Sequence, residues 1–279
     1  MVTLGAVIDT VQAAYPPSLA EDWDTGIGLT CGDPAAEIVR VLLAVDADDV
    51  TVGEAVDLRA GLLLTHHPLL FRPVQSVAAD TDKGALVHRM IRAGVAHFAA
   101  HTNADSAMGG VNNALADALG LTELRPLVPA DDAATGSGRV GLLAEPMSLL
   151  AFSTLVADRL PATVSGIRAA GDPNRMLSTV AVCGGAGDSF LPAAAAAGVD
   201  AYLTADLRHH VVAEFVADRA NPAVIEMAHW AGEWPWLPVA AALIGDAHPE
   251  LEVTVSTRCT DPWVLRVPSA GPPSSSTGG

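Results

Sequence analysis

Side chains that commonly bind metal ions follow three separate apolar runs, each at the point where the run ends. They are His66 and His67 after 61–65, His101 and Asp105 after 95–100, and His229 and Glu233 after 223–227. Short apolar runs that alternate with helical patterns are typical of buried parallel strands. Because open α/β sheets bind ligands at the carboxyl ends of their strands, these imidazoles and carboxylates are expected to meet. Even five of these six side chains, of mixed nitrogen and oxygen type, exceed what one catalytic zinc usually takes, and they suit two ions that share carboxylates and water.

The first two motifs also have purely structural interpretations. Adjacent His66 and His67 can converge only where a strand ends and twists into a loop, and Pro68 favours such an end. The alternative is a histidine pair in a surface turn. Asp105, together with Asn103, could be a ligand or an ordinary turn or capping residue.

The third motif depends on where a helix begins. His229 and Glu233 are four residues apart, which places both side chains on one face of a helix, where they could hold one ion or form a local hydrogen bond. Pro235 suits the first turn of a helix better than its middle. The helix could therefore begin only near Glu233, with the two side chains across the preceding turn.

Asp206 and His210 show the same spacing directly after the strand predicted at 201–204. They are candidates for proton transfer near the pocket, or for orienting a metal ligand. In the alternative interpretation Asp206 is the N-cap of a helix predicted at 207–219. The glycine run at 184–187 also lies between a strand and a helix, so its amides could receive a phosphate, or it could simply form a tight turn.

The elements that must position these residues alternate between strand and helix patterns. Helices are predicted at 3–15, 52–60, 81–93, 111–119, 148–160, 189–197, 207–219 and 231–246. Strands are predicted at 38–45, 62–65, 95–100, 139–144, 163–169, 178–183, 201–204, 223–227 and 251–256. Proline and glycine residues at 125–138 indicate a loop or a domain boundary.

This pattern predicts an α/β protein of two linked domains, with mixed, largely parallel sheets flanked by helices and the metal site at strand carboxyl ends between the domains. The first domain would cover 1–124 and the second 125–267, and the chain could return to the first domain near its end. The remaining tail, 268–279, is rich in proline, serine and glycine and is predicted to be disordered.

Composition excludes several classes of function. The chain of 279 residues has 15 basic and 32 acidic residues, a net charge of −17, and no basic stripe, which disfavours binding to nucleic acids or membrane surfaces. Its 3 cysteines are far apart and form no C-x-x-C motif, which argues against a disulfide framework and a thiolate zinc site and favours the cytoplasm. No signal peptide is predicted, and no run approaches the roughly 20 apolar residues that span a bilayer.

Several short motifs in a characteristic order identify a family. They are Trp23-Asp24, Gly28-Leu29, Gly32-Asp33-Pro34, Thr65-His66-His67-Pro68-Leu69-Leu70-Phe71, His101-Thr102-Asn103-Ala104-Asp105, Cys183-Gly184-Gly185-Ala186-Gly187, Thr204-Ala205-Asp206-Leu207-Arg208-His209-His210 and His229-Trp230-Ala231-Gly232-Glu233. Over nearly the whole chain except the tail, the sequence resembles the GTP cyclohydrolase I type II homologues, also called NGG-interacting-factor-three-like proteins. The short region at 125–180 indicates that the inserted middle domain of longer relatives is absent.

The resemblance implies two linked α/β domains, a dinuclear metal centre and a hollow homohexamer. The family's metal ligands correspond here to His66, His67, Asp105, His229 and Glu233, which are five of the six side chains that the strand-end argument also selects. Mixed histidine and carboxylate ligation permits Zn, Fe, Mn, Co or Ni.

Two hypotheses for function follow. The first is a dinuclear metal-dependent hydrolase that acts on a small nucleotide-like or phosphorylated substrate, with Asp206 or His210 transferring protons. The second is a non-catalytic, metal-binding hexameric scaffold or regulator.

Overall fold

The computed structural model describes residues 2–268, so the tail predicted to be disordered lies outside the described residues except for Pro268. The α-helices are α1 (Leu4–Ala14), α2 (Asp49–Asp57), α3 (Asp82–Ala93), α4 (Thr102–Ser106), α5 (Val111–Ala118), α6 (Leu149–Arg159), α7 (Leu191–Ala196), α8 (His209–Ala217), α9 (His229–Glu233) and α10 (Trp236–Ala247). The strands are β1 (Val2–Thr3), β2 (Gly28–Cys31), β3 (Glu37–Ile38), β4 (Arg40–Ala44), β5 (Leu62–Thr65), β6 (Ala96–Ala99), β7 (Thr122–Pro129), β8 (Gly136–Ser148), β9 (Arg168–Ala170), β10 (Met176–Ala186), β11 (Ala201–Ala205), β12 (Ala223–Glu226) and β13 (Glu252–Val255).

The first large sheet has the order β13-β4-β5-β6-β2, and its first four strands are parallel. Its central strand β5 is buried along its whole length, because helices cover both faces. Leu62 and Leu64 point into the cluster that contains residues of α1 and α10. Leu63 points to the opposite face, where it packs with residues of α2 and α3. This double cover produces the continuous apolar run seen in the sequence.

The second large sheet has the order β7-β8-β10-β11-β12-β9. Strands β10, β11 and β12 run parallel, whereas the pairings of β7 with β8, β8 with β10 and β12 with β9 are antiparallel. The α/β class with mixed sheets is therefore confirmed, although the parallel arrangement dominates only the first sheet. After completing the second sheet, the chain returns to pair β13 with β4.

Several predicted element boundaries differ from the structure, and three of the differences have a clear physical reason. The region 125–138 is the end of β7, a turn and the start of β8 rather than a loop throughout. Proline is tolerated in β7 because this strand is at the edge of its sheet. The single helix predicted at 231–246 is divided at Pro235 into α9 and α10. The helix predicted at 207–219 begins only at His209, because Asp206 has a left-handed backbone with φ of 56°.

None of the described helices combines the length and the apolar character that a bilayer-spanning segment requires.

Candidate metal centre

The three predicted strand ends deliver their polar residues to one place. Strands β5 and β6 are parallel neighbours, so the residues that follow them leave the first sheet at the same edge. His66 and His67 follow β5, while His101 and then Asp105, on α4, follow β6. The second sheet contributes α9, which follows β12. The cluster therefore contains residues that follow strands of both large sheets.

Glu233 lies at the centre of the cluster. Its Oε1 is 2.9 Å from Nε2 of His229 and 3.4 Å from Nε2 of His66. Its Oε2 is 3.1 Å from Nε2 of His67, and Nε2 of His67 is 3.2 Å from Nε2 of His229. Asp105 Oδ1 is 3.8 Å from Nε2 of His66. The structure thus brings together all five residues of the predicted ligand set, with His229 and Glu233 on the one-turn helix α9.

His101 is a further member of the cluster. Ligand atoms of His66, His67 and His101 lie within 4.8 Å of one another, and so do those of His67, His229 and Glu233. The sequence analysis placed His101 at the same strand end but left it out of the ligand set. Its position makes it a sixth candidate ligand.

Each of the four histidines is oriented by an oxygen acceptor at Nδ1. The pairs are His66 with the carbonyl of Ala100 (3.0 Å), His67 with Asp46 Oδ1 (2.7 Å), His101 with Asp24 Oδ2 (2.8 Å) and His229 with Asp206 Oδ2 (2.7 Å). A carbonyl or an ionised carboxylate only accepts hydrogen bonds, so Nδ1 is the donor in each pair. In the neutral tautomer that results, the lone pair is on Nε2, the atom that points into the cluster. This is the usual arrangement of histidines that bind metals.

Asp46 and Asp24 were not predicted as part of the site. Asp46 directly follows the strand predicted at 38–45, so the strand-end rule could have found it. Asp24 is 77 positions away from His101 and lies in an irregular segment, where no local spacing reveals the contact. Thr102 also donates to Asp24, through both its backbone N–H and its hydroxyl.

The structure separates the two residues predicted to transfer protons. Asp206 contacts His229 and lines the cavity described below, and Arg208, not Asp206, is at the N-cap of α8. His210 is exposed in the first turn of α8, beside His209, and is not among the residues that line the cavity. The structure therefore brings Asp206 to the cluster but not His210.

The glycine run packs its backbone directly against the cluster. Strand β10 continues to Ala186, so most of this run is strand rather than the tight turn that we expected, and only Gly187 leads into a helix, as the N-cap of the 3-10 helix Asp188–Phe190. Gly185 has a φ of 69°, and a Cβ atom at this position would lie 2.7 Å from Glu233 Oε1 and 3.3 Å from His229 Nε2. Only glycine therefore fits. The amide of Gly184 donates to Asn112 Oδ1 (2.8 Å), so it is not free for a phosphate.

Two polar side chains tie the turn that carries Asp105 to the second sheet. Asn112 donates to the carbonyl of Asp105 (3.0 Å) while it accepts from Gly184 at the end of β10. The buried guanidinium of Arg139, on β8, donates to the carbonyls of Ser106 and Ala107 at 3.3 and 2.9 Å. These contacts fix the position of Asp105 relative to the ligands that the second sheet contributes.

The closely spaced charged groups of the cluster shift one another's pKa values. Burial lowers the pKa of His67, but the carboxylates of Glu233 and Asp46 outweigh it and raise this pKa to about 10. Burial likewise lowers the pKa of His229, and Glu233 with Asp206 raises it to about 11. Burial raises the pKa of Glu233, yet the neighbouring His229 and His67 hold this pKa well below its usual range. A metal ion must displace these protons in order to bind.

The pKa of Asp105 is raised rather than lowered, because this carboxyl group has no cationic hydrogen-bond partner. Burial and the nearby Glu233 raise its pKa to about 7. Among the described residues, Asp105 Oδ1 and His66 Nε2 are buried and have no hydrogen-bond partner. Such unpaired buried groups are costly, and a metal ion between them would satisfy both. The donor set and these two atoms fit a metal centre.

A cavity of about 1210 Å³ opens onto the cluster. His67, His101, Asp105, His229 and Glu233 line its inner end. It is large enough to hold a small organic ligand beside the candidate ligands.

Comparison with known proteins gives consistent results. The family model described as Duf34/NIF3 (NGG1p interacting factor 3) matches residues 2–262. The protein named GTP cyclohydrolase 1 type 2 homolog from Streptomyces coelicolor is 49% identical, over 100% of this chain and 99% of the relative. The protein of the same name from Mycobacterium tuberculosis is 37% identical, over 95% of this chain and 97% of the relative. The mycobacterial alignment extends over 372 positions, so that relative has residues that this chain lacks.

Solved structures show the same fold. A Bacillus cereus protein related to NIF3 superimposes with a TM-score of 0.86 at 23% identity, and the match covers 95% of this chain and 99% of the other. Reduced HcgD from Methanocaldococcus jannaschii superimposes with a TM-score of 0.74 at 25% identity, with coverages of 91% and 97%.

Proposed function

The chain belongs to the Duf34/NIF3 (NGG1p interacting factor 3) family, and we propose that it is a dinuclear metal-dependent hydrolase for a small nucleotide-like or phosphorylated substrate. The observation that carries the proposal is the presence of two overlapping groups of ligand atoms, which share His67. One ion alone would leave part of this donor set unused. The name of the relatives, GTP cyclohydrolase 1 type 2 homolog, also points to hydrolysis of a nucleotide.

The residues have distinct roles in this proposal. His66, His67, Asp105, His229 and Glu233 hold the ions, with His101 as an additional donor. Two divalent ions, whether Zn, Fe, Mn, Co or Ni, would supply Lewis acidity and activate water near neutral pH. Asp206 keeps a proton on Nδ1 of His229, and its exposed carboxylate can exchange protons with the cavity. For His210, proton transfer stays a sequence-based hypothesis.

Metal stoichiometry is the first test. Protein stripped with a chelator and reloaded with Zn or Mn should contain two ions per chain by elemental analysis. His67→Ala and Glu233→Ala should each sharply lower occupancy while circular dichroism reports a folded chain. His209→Ala, at an exposed position on α8, is the matched control and should keep both ions. A wild-type stoichiometry of zero or one would contradict the dinuclear proposal.

Turnover is the second test. Metal-free and reloaded protein would be screened against nucleotides, phosphomonoesters and phosphodiesters. Hydrolysis that requires metal and disappears in Glu233→Ala supports the hydrolase. A fully loaded protein without turnover on the panel would favour the alternative function.

The alternative is a non-catalytic metal-binding scaffold or regulator. The observation that favours it is that candidate ligands come from both large sheets, so bound ions would join the two halves of the chain. In this case metal would raise the thermal unfolding temperature without conferring activity.

We also propose that the chain assembles into a homohexamer in a reducing cytoplasm. Its mass would be about 170 kDa, which is six times the 28.5 kDa chain, and closed symmetric assemblies are common among soluble proteins. The cysteines are unpaired in the structure, which agrees with a reducing compartment. Light scattering coupled to size exclusion measures the mass, and a monomer at micromolar concentration would contradict the assembly.

A further inference from the structure

We infer that the ligand of this site combines a flat aromatic ring with an anionic group, and that the ring stacks on Trp23 and Phe71 while the anion pairs with Arg266. The inference rests on the proposed function and narrows its substrate class. It also assigns the two parts of the ligand to opposite sides of the cavity.

The first observation is the location of the exposed aromatic rings. Aromatic residues make up only 4% of the chain. In residues 2–268, the aromatic side chains among the exposed large hydrophobic residues are Trp23 (59% exposed), Phe71 (49%) and Trp263 (66%). All three line the cavity that opens onto the metal cluster. Scattered exposed apolar residues need no explanation, whereas aromatic rings gathered around one opening indicate a ligand site.

The second observation is how two of these rings are held. Trp23 and Phe71 contact each other with ring centroids 5.9 Å apart. Both meet His101 nearly edge to face, with centroid distances of 6.1 Å and 5.8 Å and interplanar angles of 79° and 81°. They therefore form an aromatic wall beside a candidate metal ligand, and both residues line the cavity with about half of their surface exposed. A ring that stacks on this wall would lie next to the metal cluster.

The third observation is the position of positive charge. Most of the charged residues that line the cavity are acidic, but Arg168 and Arg266 also line it. Arg168 pairs with Glu226, whereas no carboxylate of the described residues lies within 4 Å of the Arg266 guanidinium. Arg266 Nη1 lies 3.7 Å from the point where a Cβ of Gly166 would be, so the two arginines flank the same turn. An anionic group is attracted here rather than to the acidic remainder of the cavity.

The aromatic wall and the arginines lie on different sides of the cluster. The wall is attached to His101, on the side of the first sheet. Arg168 pairs with Glu226, and Glu226 accepts a hydrogen bond from the amide of Leu207. Leu207 directly follows Asp206, whose carboxylate accepts a hydrogen bond from His229. The arginines are therefore on the side of the second sheet. A ligand with a ring at one end and an anion at the other would span the cluster between them.

The test measures binding by calorimetry to metal-loaded protein, with guanosine 5′-monophosphate, 4-nitrophenyl phosphate and ribose 5-phosphate as probes. The two ring-bearing probes should bind more tightly than ribose 5-phosphate. Trp23→Ala and Phe71→Leu should each weaken the ring-bearing probes about 10- to 100-fold, the usual effect of losing one stacking contact, and leave ribose 5-phosphate unchanged. Trp23→Phe should restore most of the affinity. Arg266→Gln should weaken binding of all three phosphates and leave binding of guanosine, a fourth probe that has the ring but no phosphate, unchanged.

Two surface substitutions serve as controls. Leu150→Ala removes an equally exposed apolar side chain on α6, and Arg92→Gln removes an exposed cation on α3; neither should change binding. The inference is overturned when loaded protein binds no ring-bearing probe at millimolar concentration, binds ribose 5-phosphate as tightly as the nucleotide, or responds equally to Trp23→Ala and Leu150→Ala. Binding without turnover leaves the inference standing and removes only the hydrolase, so the two failures are distinguishable.

Discussion

The cluster of candidate metal ligands has a buried wall and a cavity wall, and the protein holds their histidines in different ways. On the buried wall, His66 donates its Nδ1 hydrogen to a backbone carbonyl, that of Ala100. On the cavity wall, His67, His101 and His229 donate to carboxylates. Glu233 joins the walls, because it approaches Nε2 atoms on both.

The difference has a chemical consequence. A backbone carbonyl orients an imidazole without adding a formal charge. A carboxylate orients it, makes it a more basic ligand and favours its protonated form. Of the groups that raise the pKa of His67 and of His229 against the effect of burial, Glu233 contributes most, and the carboxylates at Nδ1, Asp46 and Asp206, add to it. The buried wall therefore fixes geometry, whereas the histidines of the cavity wall can change their protonation state, as the proposed metal binding requires.

The largest expected effect comes from removing the residue that joins the two walls. Glu233→Gln keeps the shape of the side chain but removes its charge, so the imidazole nitrogens around it lose their shared carboxylate. Metal affinity should fall by more than about 100-fold. This exceeds the usual loss on removing a residue that only hydrogen-bonds to a metal ligand. Competition with a chromophoric chelator measures it. Glu214→Gln on the exposed face of α8 is the control, and equal affinity in both variants would refute the central role of Glu233.

The second prediction tests whether Asp206, on the cavity wall, transfers protons. If Asp206 moves protons through His229, Asp206→Asn should lose roughly 10²- to 10⁴-fold in turnover while a loaded sample retains its ions. His210→Ala should keep nearly full turnover, because His210 is exposed and outside the cavity lining. Equal large losses in both variants would instead support the sequence-based hypothesis that the two residues act together. Unchanged turnover in Asp206→Asn with intact metals would eliminate proton transfer by Asp206.

The third prediction concerns a buried residue that supports the cavity wall at His67. His97 is buried below the cluster and its Nε2 contacts the Thr65 hydroxyl (2.9 Å), which in turn donates to the carbonyl of His67. Burial and the more distant Lys83 lower the pKa of His97 to about 4. Its pKa in an unfolded chain is about 6.5. The neutral form therefore contributes stability above pH 6.5 that is lost as the pH falls towards 4.

This loss should amount to about 3 kcal/mol between pH 7 and pH 4. Urea unfolding of metal-free protein at several pH values measures it. His97→Gln cannot titrate, so the difference in unfolding free energy between this variant and the wild type should shrink as the pH falls. A constant difference across the range would show that His97 is not neutral in the folded state for this reason.

The smallest effect should come from a single carboxylate of the cavity wall. Asp46→Asn removes the charge at Nδ1 of His67. It should weaken metal binding about 10- to 100-fold, the usual effect of changing a residue that hydrogen-bonds to a metal ligand. Asp206→Asn should weaken it less, because its side chain is 57% exposed against 30% for Asp46 and water can replace it. Asp46 is also held by the hydroxyl of Thr260. Asp246→Asn on α10 is a surface control, and a larger effect at Asp206 than at Asp46 would contradict the comparison.

The sequence predicted the site best where its residues directly follow recognisable buried strands. His66, His67 and Asp105 follow buried parallel strands, and topology alone then brings them together. Asp46 follows the same rule, but an aspartate after a strand is too common to indicate a metal site by itself. Asp24 has no such signal, because its contact with His101 depends on how an irregular segment folds back.

The four-residue spacing gave a wrong prediction where the backbone is not the regular helix that this spacing assumes. The predicted pairing of Asp206 with His210 required a helix from 207 onwards. The left-handed backbone of Asp206 delays the helix to His209 and turns the aspartate towards His229 instead. The spacing of His229 and Glu233 succeeded because one turn of helix is complete before Pro235.

The return of the chain to its first sheet affects how the protein is made. Strand β4 ends at Ala44, but its outer partner β13 ends at Val255, so the ribosome must add 211 residues between them (255 − 44). At about 5–20 residues per second this takes roughly 10–40 s, during which β4 is an unpaired edge in the nascent chain. Such an edge can pair with another chain, so chaperone occupancy early in translation should matter more for this protein than its final stability suggests.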